Sequence, residues 1–323
     1  MKYKYYKDNI DYNNIDLSYF QYDEKLSDNQ TESIASKPYS YWKSVFKTLV
    51  KKKLFMLIVI ILIIFIILSL SIARNEVPVP LDRPNKTPAT WSNEHWFGLG
   101  VMGEDLWNKI WIGTRKTLQF SLTISSIEIC LGIIIGLIWG FYSRLDILFI
   151  EVIRFLSLIP SLILWLLVIF IFGGKATMPI LIGAISITSW IGISSVIRVQ
   201  TILIRNSEYN IASKVLGSSG FKIMKENILP KILPIVVQTI SFSIPSAIAL
   251  DSTLSYYNFG FINNVIYECS LGSILNDSLM WSSLWKTYPN LLIFPVLFTS
   301  GLSFLIFVVG KVISDSLDPK LHR

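Results

Sequence analysis

Cysteine and histidine are scarce in this sequence, with two residues of each among 323. Cys130 lies inside an apolar run and Cys269 in a separate stretch, without the C-x-x-C spacing of zinc or redox sites. Neither a disulfide framework nor a metal site is therefore indicated. With only His95 and His322, histidine-based acid–base chemistry and nucleophilic catalysis have almost nothing to build on. We expect no catalytic residue and no metal site.

A nucleotide-binding P-loop is also missing. That motif needs G-x-x-x-x-G-K-[ST], whose backbone amides cradle phosphate groups, and the Gly-Lys pairs that begin at Gly174 and Gly310 do not fit it. We therefore predict that the chain is not an enzyme and binds no cofactor of its own. Any ATP hydrolysis would have to belong to separate subunits.

Apolar residues dominate what is present. They make up 52% of the chain and give it a mean hydropathy of +0.53, which is too apolar for a soluble domain of this length and predicts an integral membrane protein. The net charge of +7 and the pI near 9.2 would suit a nucleic-acid-binding protein. The basic residues flank hydrophobic runs, however, where they are typical of membrane topology, so no nucleic-acid partner is predicted.

Six apolar runs approach the length of about twenty residues that a helix needs to cross a bilayer. They predict an all-α integral membrane protein with six transmembrane helices, at about residues 54–72, 117–142, 155–172, 179–197, 232–250 and 290–310. The first run also resembles a secretory signal, but its leader and apolar core are longer than those of a signal, which favours an uncleaved helix. Pro160 is expected to bend or break the third span. The charged residues from Arg144 to Arg154 predict a tight turn before it.

The spans divide the chain into regions. We predict a disordered or weakly ordered tail at residues 1–40, a basic leader with the first helix at 41–72, and an outer loop at 73–116. A core of transmembrane helices follows at 117–310, and a second tail at 311–323. Inside the core, polar stretches lie at about 198–231 and 251–289. Six basic residues fall in the stretch 198–231, whereas the two short loops on the opposite side hold only Lys175 and Lys286. This bias places both termini and residues 198–231 in the cytoplasm, and the tryptophans between 91 and 111 in an interfacial belt on the far side.

Small and acidic residues inside the spans suggest specific contacts. Gly132, Gly136 and Gly140 share one ridge of the second span, an arrangement that lets helices approach closely in lipid. Glu128 lies one step earlier on that ridge, so it should face a neighbouring helix or a cavity. It could be neutral, pair with a polar group of another protein, or offer a counter-charge to an ammonium group. Asp251, at the outer end of the fifth span, is expected to act as an interfacial cap or partner contact, with substrate binding as the alternative.

The segment at residues 208–230, EYNIASKVLGSSGFKIMKENILP, is basic and only mildly apolar. Its apolar spacing predicts a short helix, a break bracketed by Gly217 and Gly220, and a second helical piece that Pro230 ends. A helix this short cannot cross a bilayer. It is therefore expected at a membrane surface, either as an ordinary loop or as a face offered to another protein.

The letters EYNIASKVLG, with ILP at the end, resemble the EAA loop of permease subunits in ATP-binding-cassette importers. The similarity extends over about residues 41–323 and is strongest to the C-type subunit of the oligopeptide and dipeptide branch. Further matching motifs are His95-Trp96-Phe97-Gly98, Gly103-Glu104-Asp105-Leu106, Gly113-Thr114-Arg115, Ile159-Pro160-Ser161, Leu254-Ser255 with Gly260, Leu271-Gly272, and Leu317-Asp318-Pro319. In the first of these regions Leu99 and Gly100 replace Thr and Asp of the family pattern, and Glu104 replaces Arg.

This resemblance implies a cytoplasmic coupling helix between spans four and five that docks on an ATPase subunit. The residues that the resemblance assigns to coupling are Glu208, Ala212, Ser213, Lys214, Gly217, Gly220 and Pro230. Ile211 stands where the family has Glu, Ser213 replaces an Ala, and Asn227 replaces a frequent His. Docking is therefore expected to depend more on shape and on Lys214.

The resemblance also implies partners. They are a homologous second permease subunit, two cytoplasmic ATPases that bind ATP and Mg²⁺, an extracytoplasmic binding protein and a peptide substrate, all at the lipid membrane of a bacterial cell. Relatives in this branch also carry nickel or other small solutes, so a permease for such a solute is an alternative to a peptide permease. An ion-coupled secondary transporter or channel is the alternative of a different class.

Overall fold

The computed structural model describes residues 41–72, 90–261, 268–280 and 284–317, and these residues fold almost entirely as α-helices. In chain order the helices are α1 (Tyr41–Lys51), α2 (Lys53–Ser71), α3 (Leu106–Phe141), α4 (Asp146–Ser157), α5 (Ser161–Ile171), α6 (Met178–Arg205), α7 (Glu208–Val215), α8 (Gly220–Tyr256), α9 (Leu271–Met280), α10 (Leu284–Thr287) and α11 (Asn290–Leu317). The helical bundle belongs to the unit Val45–Arg323. The predicted tail at 1–40, residues 73–89 and the Asp318-Pro319 motif lie outside the described residues.

Five helices of the described part are long and apolar enough to cross a membrane, namely α2, α3, α6, α8 and α11. The bent pair of α4 and α5 makes a sixth if it counts as one span. The predicted all-α membrane fold is thereby confirmed. In the most apolar stretch of α11 only 11% of the residues are buried within this chain. Ile293, Val296, Leu297 and Phe304 of this helix are exposed and face lipid or another protein.

The third span is broken at Pro160. α4 and α5 meet at an angle of 81° across residues 158–160, because proline lacks an amide donor and disfavours helical backbone at the residue before it. The structure differs from the turn predicted ahead of this span. Asp146 begins α4, and Glu151 and Arg154 lie inside it as an i,i+3 ion pair with 2.7 Å between Nη1 and Oε1. Only three of the twelve residues of α4 are charged, so the helix keeps an apolar face and no turn is needed there.

The second span begins earlier than hydropathy predicts. α3 starts at Leu106 rather than near residue 117, so eleven residues of the predicted outer loop are helical. Hydropathy does not predict this start, because a charged residue such as Lys109 is not expected in a buried helix. The structure buries it to 4% exposure beside acidic residues of other segments.

The predicted tryptophan belt is only partly present. Trp91 and Trp96 are each 65% exposed, as an interfacial position requires, but Trp111 is only 2% exposed. Its ring lies 5.1 Å from that of Phe298 and 5.5 Å from that of Trp107, both in edge-on contact. Trp111 is therefore a core residue that packs α3 against α11.

Gly132, Gly136 and Gly140 lie on the face of α3 that packs against α6. A Cβ atom added at any of them would collide with α6 at less than 3 Å. At position 132 the Cβ would meet Ile193, and at position 136 it would meet Ile197 and the Ser194 carbonyl. At position 140 it would meet Thr201 and the Arg198 carbonyl. These glycines allow α3 and α6 to pack almost backbone to backbone.

This packing predicts that Gly136→Ala destabilises the protein. The added methyl would meet the Ser194 carbonyl oxygen and Ile197 Cβ at 2.8 Å, and backbone atoms cannot rotate away, so we expect a loss of about 1–3 kcal/mol from overpacking. Gly183→Ala on α6 is the matched control, because nothing lies within 4 Å of its Cβ position. Thermal unfolding of the two purified variants checks this. An equal midpoint for both would contradict the packing role of Gly136.

Candidate functional site

The segment at residues 208–230 folds as a short helix, a reversal and the start of α8. α7 spans eight residues, Glu208–Val215, or about 12 Å at 1.5 Å per residue, which is too short to cross a bilayer. The amides of Asn210 and Ile211 donate to the Ser207 carbonyl at 2.9 and 3.1 Å. Glu208 adds a negative charge in the first turn, where the helix dipole favours it.

Gly217 ends α7 with positive φ. Its φ of +85° belongs to the left-handed region, which glycine adopts without steric cost. The Ser218 amide donates to the Ser213 carbonyl at 3.0 Å and the Gly217 amide to the Lys214 carbonyl at 3.1 Å. These two bonds form a Schellman motif, which turns the chain back towards the bundle.

The second half of the segment is continuous with a membrane span. Ser219 caps it by accepting a hydrogen bond from the Lys222 amide at 3.3 Å. The helix then widens into a π-helical stretch, Ile223–Ile228, and continues to Tyr256. The expected end at Pro230 is therefore wrong. The π-helical stretch ends two residues before Pro230. Because proline has no amide hydrogen, an α-helical hydrogen bond from position 230 would in any case be missing.

Asn210 and Asn227 fasten α7 to its neighbours. Asn210 is 3% exposed, and its amide nitrogen donates to the Ile204 carbonyl of α6 at 2.9 Å. From α8, the amide nitrogen of Asn227 donates to the Asn210 side-chain oxygen at 2.9 Å and lies 3.4 Å from Ser213 Oγ. Ser213 and Asn227, both departures from the family pattern, thus lie together and join α7 to the fifth span.

The segment also contacts the end of α3. A Cβ atom at Gly220 would lie 2.8 Å from the Phe141 ring and 2.9 Å from the Tyr142 hydroxyl, so only glycine permits this approach. Arg205, at the end of α6, donates to the carbonyls of Gly140 and Phe141 at 3.0 and 3.1 Å. A displacement of α7 would therefore also displace α3, α6 and α8.

The outward side of the segment is apolar. Four apolar side chains of the segment are exposed, and together we call them the exposed apolar face. They are Ile211 (55% exposed), Val215 (82%), Leu216 (85%) and Phe221 (70%). Exposed charged or small residues surround this face, namely Glu208, Ala212, Lys214, Lys222 and Lys225. An apolar patch with a polar rim is typical of a surface that another protein covers.

Asp251 lies at the opposite end of the bundle and is 1% exposed. Its carboxylate accepts hydrogen bonds from Thr117 Oγ1 at 2.7 Å, Ser270 Oγ at 2.9 Å and the Gly272 amide at 3.3 Å. The donors come from α3, from the residue before α9 and from α9 itself. Asp251 therefore holds α9 onto α3 and α8 within this chain.

A buried charge cluster at the same end escaped sequence reasoning. Lys109 Nζ lies 2.5 Å from Glu104 Oε1 and 3.2 Å from Asp277 Oδ2. Burial alone would raise the pKa of Glu104, but the charge and hydrogen bond of Lys109 hold it below its ordinary value. Burial raises the pKa of Asp277, against the opposing charge of Lys109. Nearby, burial raises the pKa of the Cys269 thiol to about 12, so this cysteine is not a nucleophile.

This cluster predicts that Lys109→Met is strongly destabilising, by about 3–5 kcal/mol, because Glu104 is left buried without its partner. The pair Lys109→Met with Glu104→Gln should recover much of this loss. Since the folded pKa of Glu104 is depressed, the pair's contribution is present above its ordinary pKa and lost as pH falls through the folded value. Thermal unfolding at neutral and acidic pH measures both effects. Additive losses in the double variant would refute the coupling.

Glu128 lies in the middle of α3. Its Oε2 accepts a hydrogen bond from Ser243 Oγ of α8 at 2.6 Å. The residue lines a cleft of about 490 Å³ between α3, the α4–α5 break, α6 and α8. The described residues contain no cluster of His, Cys, Asp or Glu that could hold a metal ion.

Together, the bundle of apolar spans and the short surface helix define a multi-pass membrane protein that exposes an apolar face outside its spans. Residues 132–323 match the model of the binding-protein-dependent transport system inner membrane component. The chain belongs to this family. It is 35% identical over 321 residues to an oligopeptide transport system permease protein, AmiD, of Streptococcus pneumoniae, covering 96% of this chain and 99% of that protein.

Two Bacillus subtilis proteins are also similar. The dipeptide transport system permease protein DppC is 29% identical, over 91% of this chain and 90% of its own length. The oligopeptide transport system permease protein OppC is 29% identical, over 90% of this chain and 94% of its own length. The similarity therefore extends over nearly the whole of each chain.

Proposed function

We propose that the chain is one of two permease subunits of an ATP-binding-cassette importer for oligopeptides or dipeptides. The transport role is supported by family membership, and the peptide substrate by the names of three relatives. In this proposal the protein lies in a bacterial plasma membrane with both termini in the cytoplasm, as its basic residues favour. A homologous permease subunit completes the path, two cytoplasmic ATPases bind ATP and Mg²⁺, and an extracytoplasmic binding protein delivers the peptide.

The observation that carries this proposal is the exposed apolar face, which lies on a segment that side-chain hydrogen bonds fix to α6 and α8. Val215 and Leu216 are apolar and more than 80% exposed. They belong to a segment outside the membrane spans, so lipid does not account for this exposure. Ile211, at the position of the family's Glu, is 55% exposed on the same side of α7, one turn before Val215. The face would dock in an apolar groove of an ATPase, with Lys214 at its rim.

Coupling would then follow from the contacts of α7. Closure of the ATPases on ATP would displace α7, and the side-chain bonds of Asn210 and Asn227 would carry this displacement to α6 and α8. The close contact of Gly220 with Phe141 would carry it to α3. For work to be done, the ATP-bound ATPases must favour one arrangement of these spans over the other.

Uptake by the complete importer tests the proposal. The chain is purified with its partner permease and ATPases and reconstituted into liposomes that contain ATP, and the binding protein supplies a labelled peptide outside. We expect peptide accumulation that requires ATP and persists when ionophores collapse ion gradients. Uptake that survives without ATP but not without an ion gradient would favour a secondary transporter. Uptake of nickel or another small solute in place of peptide would correct the substrate.

A further inference from the structure

The cleft around Glu128 lies within the spans and has polar walls. Its volume of about 490 Å³ falls in the range of small-ligand sites. Hydroxyl-bearing residues and the Glu128 carboxylate line it together with Trp165, Pro160 and aliphatic side chains. The hydroxyl-bearing residues are Ser157, Ser161, Thr188, Ser189 and Ser246. A carboxylate inside a membrane span is costly unless it faces a polar partner or a water-filled cavity.

Three groups in the cleft have unused hydrogen-bonding capacity. Glu128 has one protein donor, Ser243 Oγ, and no Lys, Arg or His of the described residues lies within 4 Å of its carboxylate. Ser189 Oγ is buried and finds no partner in the described part of the chain. The Thr188 hydroxyl oxygen accepts from Trp165 Nε1 at 3.0 Å and keeps a second lone pair that can accept another hydrogen bond.

The sign of the cleft's charge is set by Glu128. Ser157, the last residue of α4, and Ser161, the first of α5, both line the cleft. The negative end of one helix dipole and the positive end of the other meet there and offset each other. The carboxylate is the remaining charge, so the cleft favours a cation that can also donate hydrogen bonds.

We propose that this cleft is a binding subsite on the translocation path for an ammonium group of the transported molecule. Glu128 supplies the counter-charge, and Ser189 and Thr188 supply hydrogen bonds beside it. This inference rests on the proposed function, because it takes the transported molecule to be a peptide. The ammonium group could be the peptide's amino terminus or a lysine side chain.

Uptake of four matched peptides by wild type and Glu128→Gln tests the subsite in the reconstituted importer. The peptides share one length and carry lysine or norleucine at one position, each with a free or an acetylated amino terminus. The same binding protein serves both permeases, so its preference cancels in the ratio of variant to wild-type kcat/KM. We expect this ratio to fall about tenfold for peptides that present the recognised ammonium group, as expected for a lost charged hydrogen bond.

The pattern of ratios identifies the source of the ammonium group. A fall for both free-terminus peptides assigns the amino terminus, and a fall for both lysine peptides assigns the side chain. Acetylated norleucine peptide has neither group and should keep its ratio. Ser126→Ala, an exposed hydroxyl on α3 that does not line the cleft, should leave every ratio near one.

An equal ratio for all four peptides would overturn the subsite, because a merely structural role or a contact with the partner permease would affect them alike. Ratios between peptides do not depend on how much of the variant folds. If wild type imports none of the peptides with ATP, the proposed function fails and the subsite fails with it. If wild type imports them and Glu128→Gln shows no selectivity, the subsite alone fails.

Discussion

Val215→Asp and Leu216→Asp are each expected to reduce ATP-dependent uptake at least tenfold while leaving the protein folded in its membrane. Both side chains are more than 80% exposed and have little to lose within this chain. In a groove of the ATPase, however, a buried carboxylate without a partner would be costly. The few residues that dominate an interface each contribute about 2 kcal/mol or more. Uptake and ATP hydrolysis are measured on the same reconstituted preparation.

Methionine at the same positions provides the control. Val215→Met and Leu216→Met keep the face apolar and adaptable, so uptake should stay within about threefold of wild type, a difference of less than 1 kcal/mol. If the aspartate variants import peptide at the wild-type rate, the exposed apolar face does not dock on the ATPase. Loss of the permease from the membrane would instead show a folding defect, which thermal unfolding detects.

Gly217→Arg is expected to uncouple the transporter. With φ at +85°, an L-residue with a Cβ is strained by roughly 1–2 kcal/mol, and the Schellman reversal that sets the direction of α7 would be disturbed. The space around the Cβ position is open, so the spans should still assemble. The expected result is normal membrane insertion, ATP hydrolysis that no longer drives import, and a more than tenfold loss of uptake.

Asparagine separates backbone strain from side-chain bulk at this position. Asn adopts left-handed backbone more readily than other L-residues, so Gly217→Asn should retain most of the uptake. If the Asn and Arg variants lose uptake equally, the positive φ is not the cause. If both import at the wild-type rate, the reversal at Gly217 plays no part in coupling.

The spans and the short helix could be predicted because hydrophobic periodicity is local. Runs of apolar residues located the membrane helices, and the paired glycines located the end of α7. Two local signals misled. Pro230 predicted an end, yet the helix continues from the π-helical stretch Ile223–Ile228 through Pro230 to Tyr256. Lys109 predicted a loop, because its acidic partner Asp277 is 168 residues away in the sequence and only the fold brings them together.

Departures from the family pattern make physical sense only in three dimensions. Gly100 and Glu104 replace Asp and Arg of that pattern, and a Cβ at Gly100 would collide with the Glu104 carboxylate. The missing side chain at one position therefore leaves space for the new carboxylate at the other. Ser213 and Asn227 are a second such pair, since their side chains lie 3.4 Å apart across the reversal. Neither pairing is visible from sequence spacing alone.

Site-specific photo-cross-linking at position 215 tests the central claim, that the exposed apolar face of α7 docks on an ATPase subunit. A photoreactive phenylalanine derivative replaces Val215 in the complete importer, with the same substitution at exposed Leu203 on α6 as the control. Position 215 is predicted to yield a covalent product with the ATPase, whereas position 203 should yield none. A complex that purifies intact but gives only lipid or permease products at position 215 would contradict the claim.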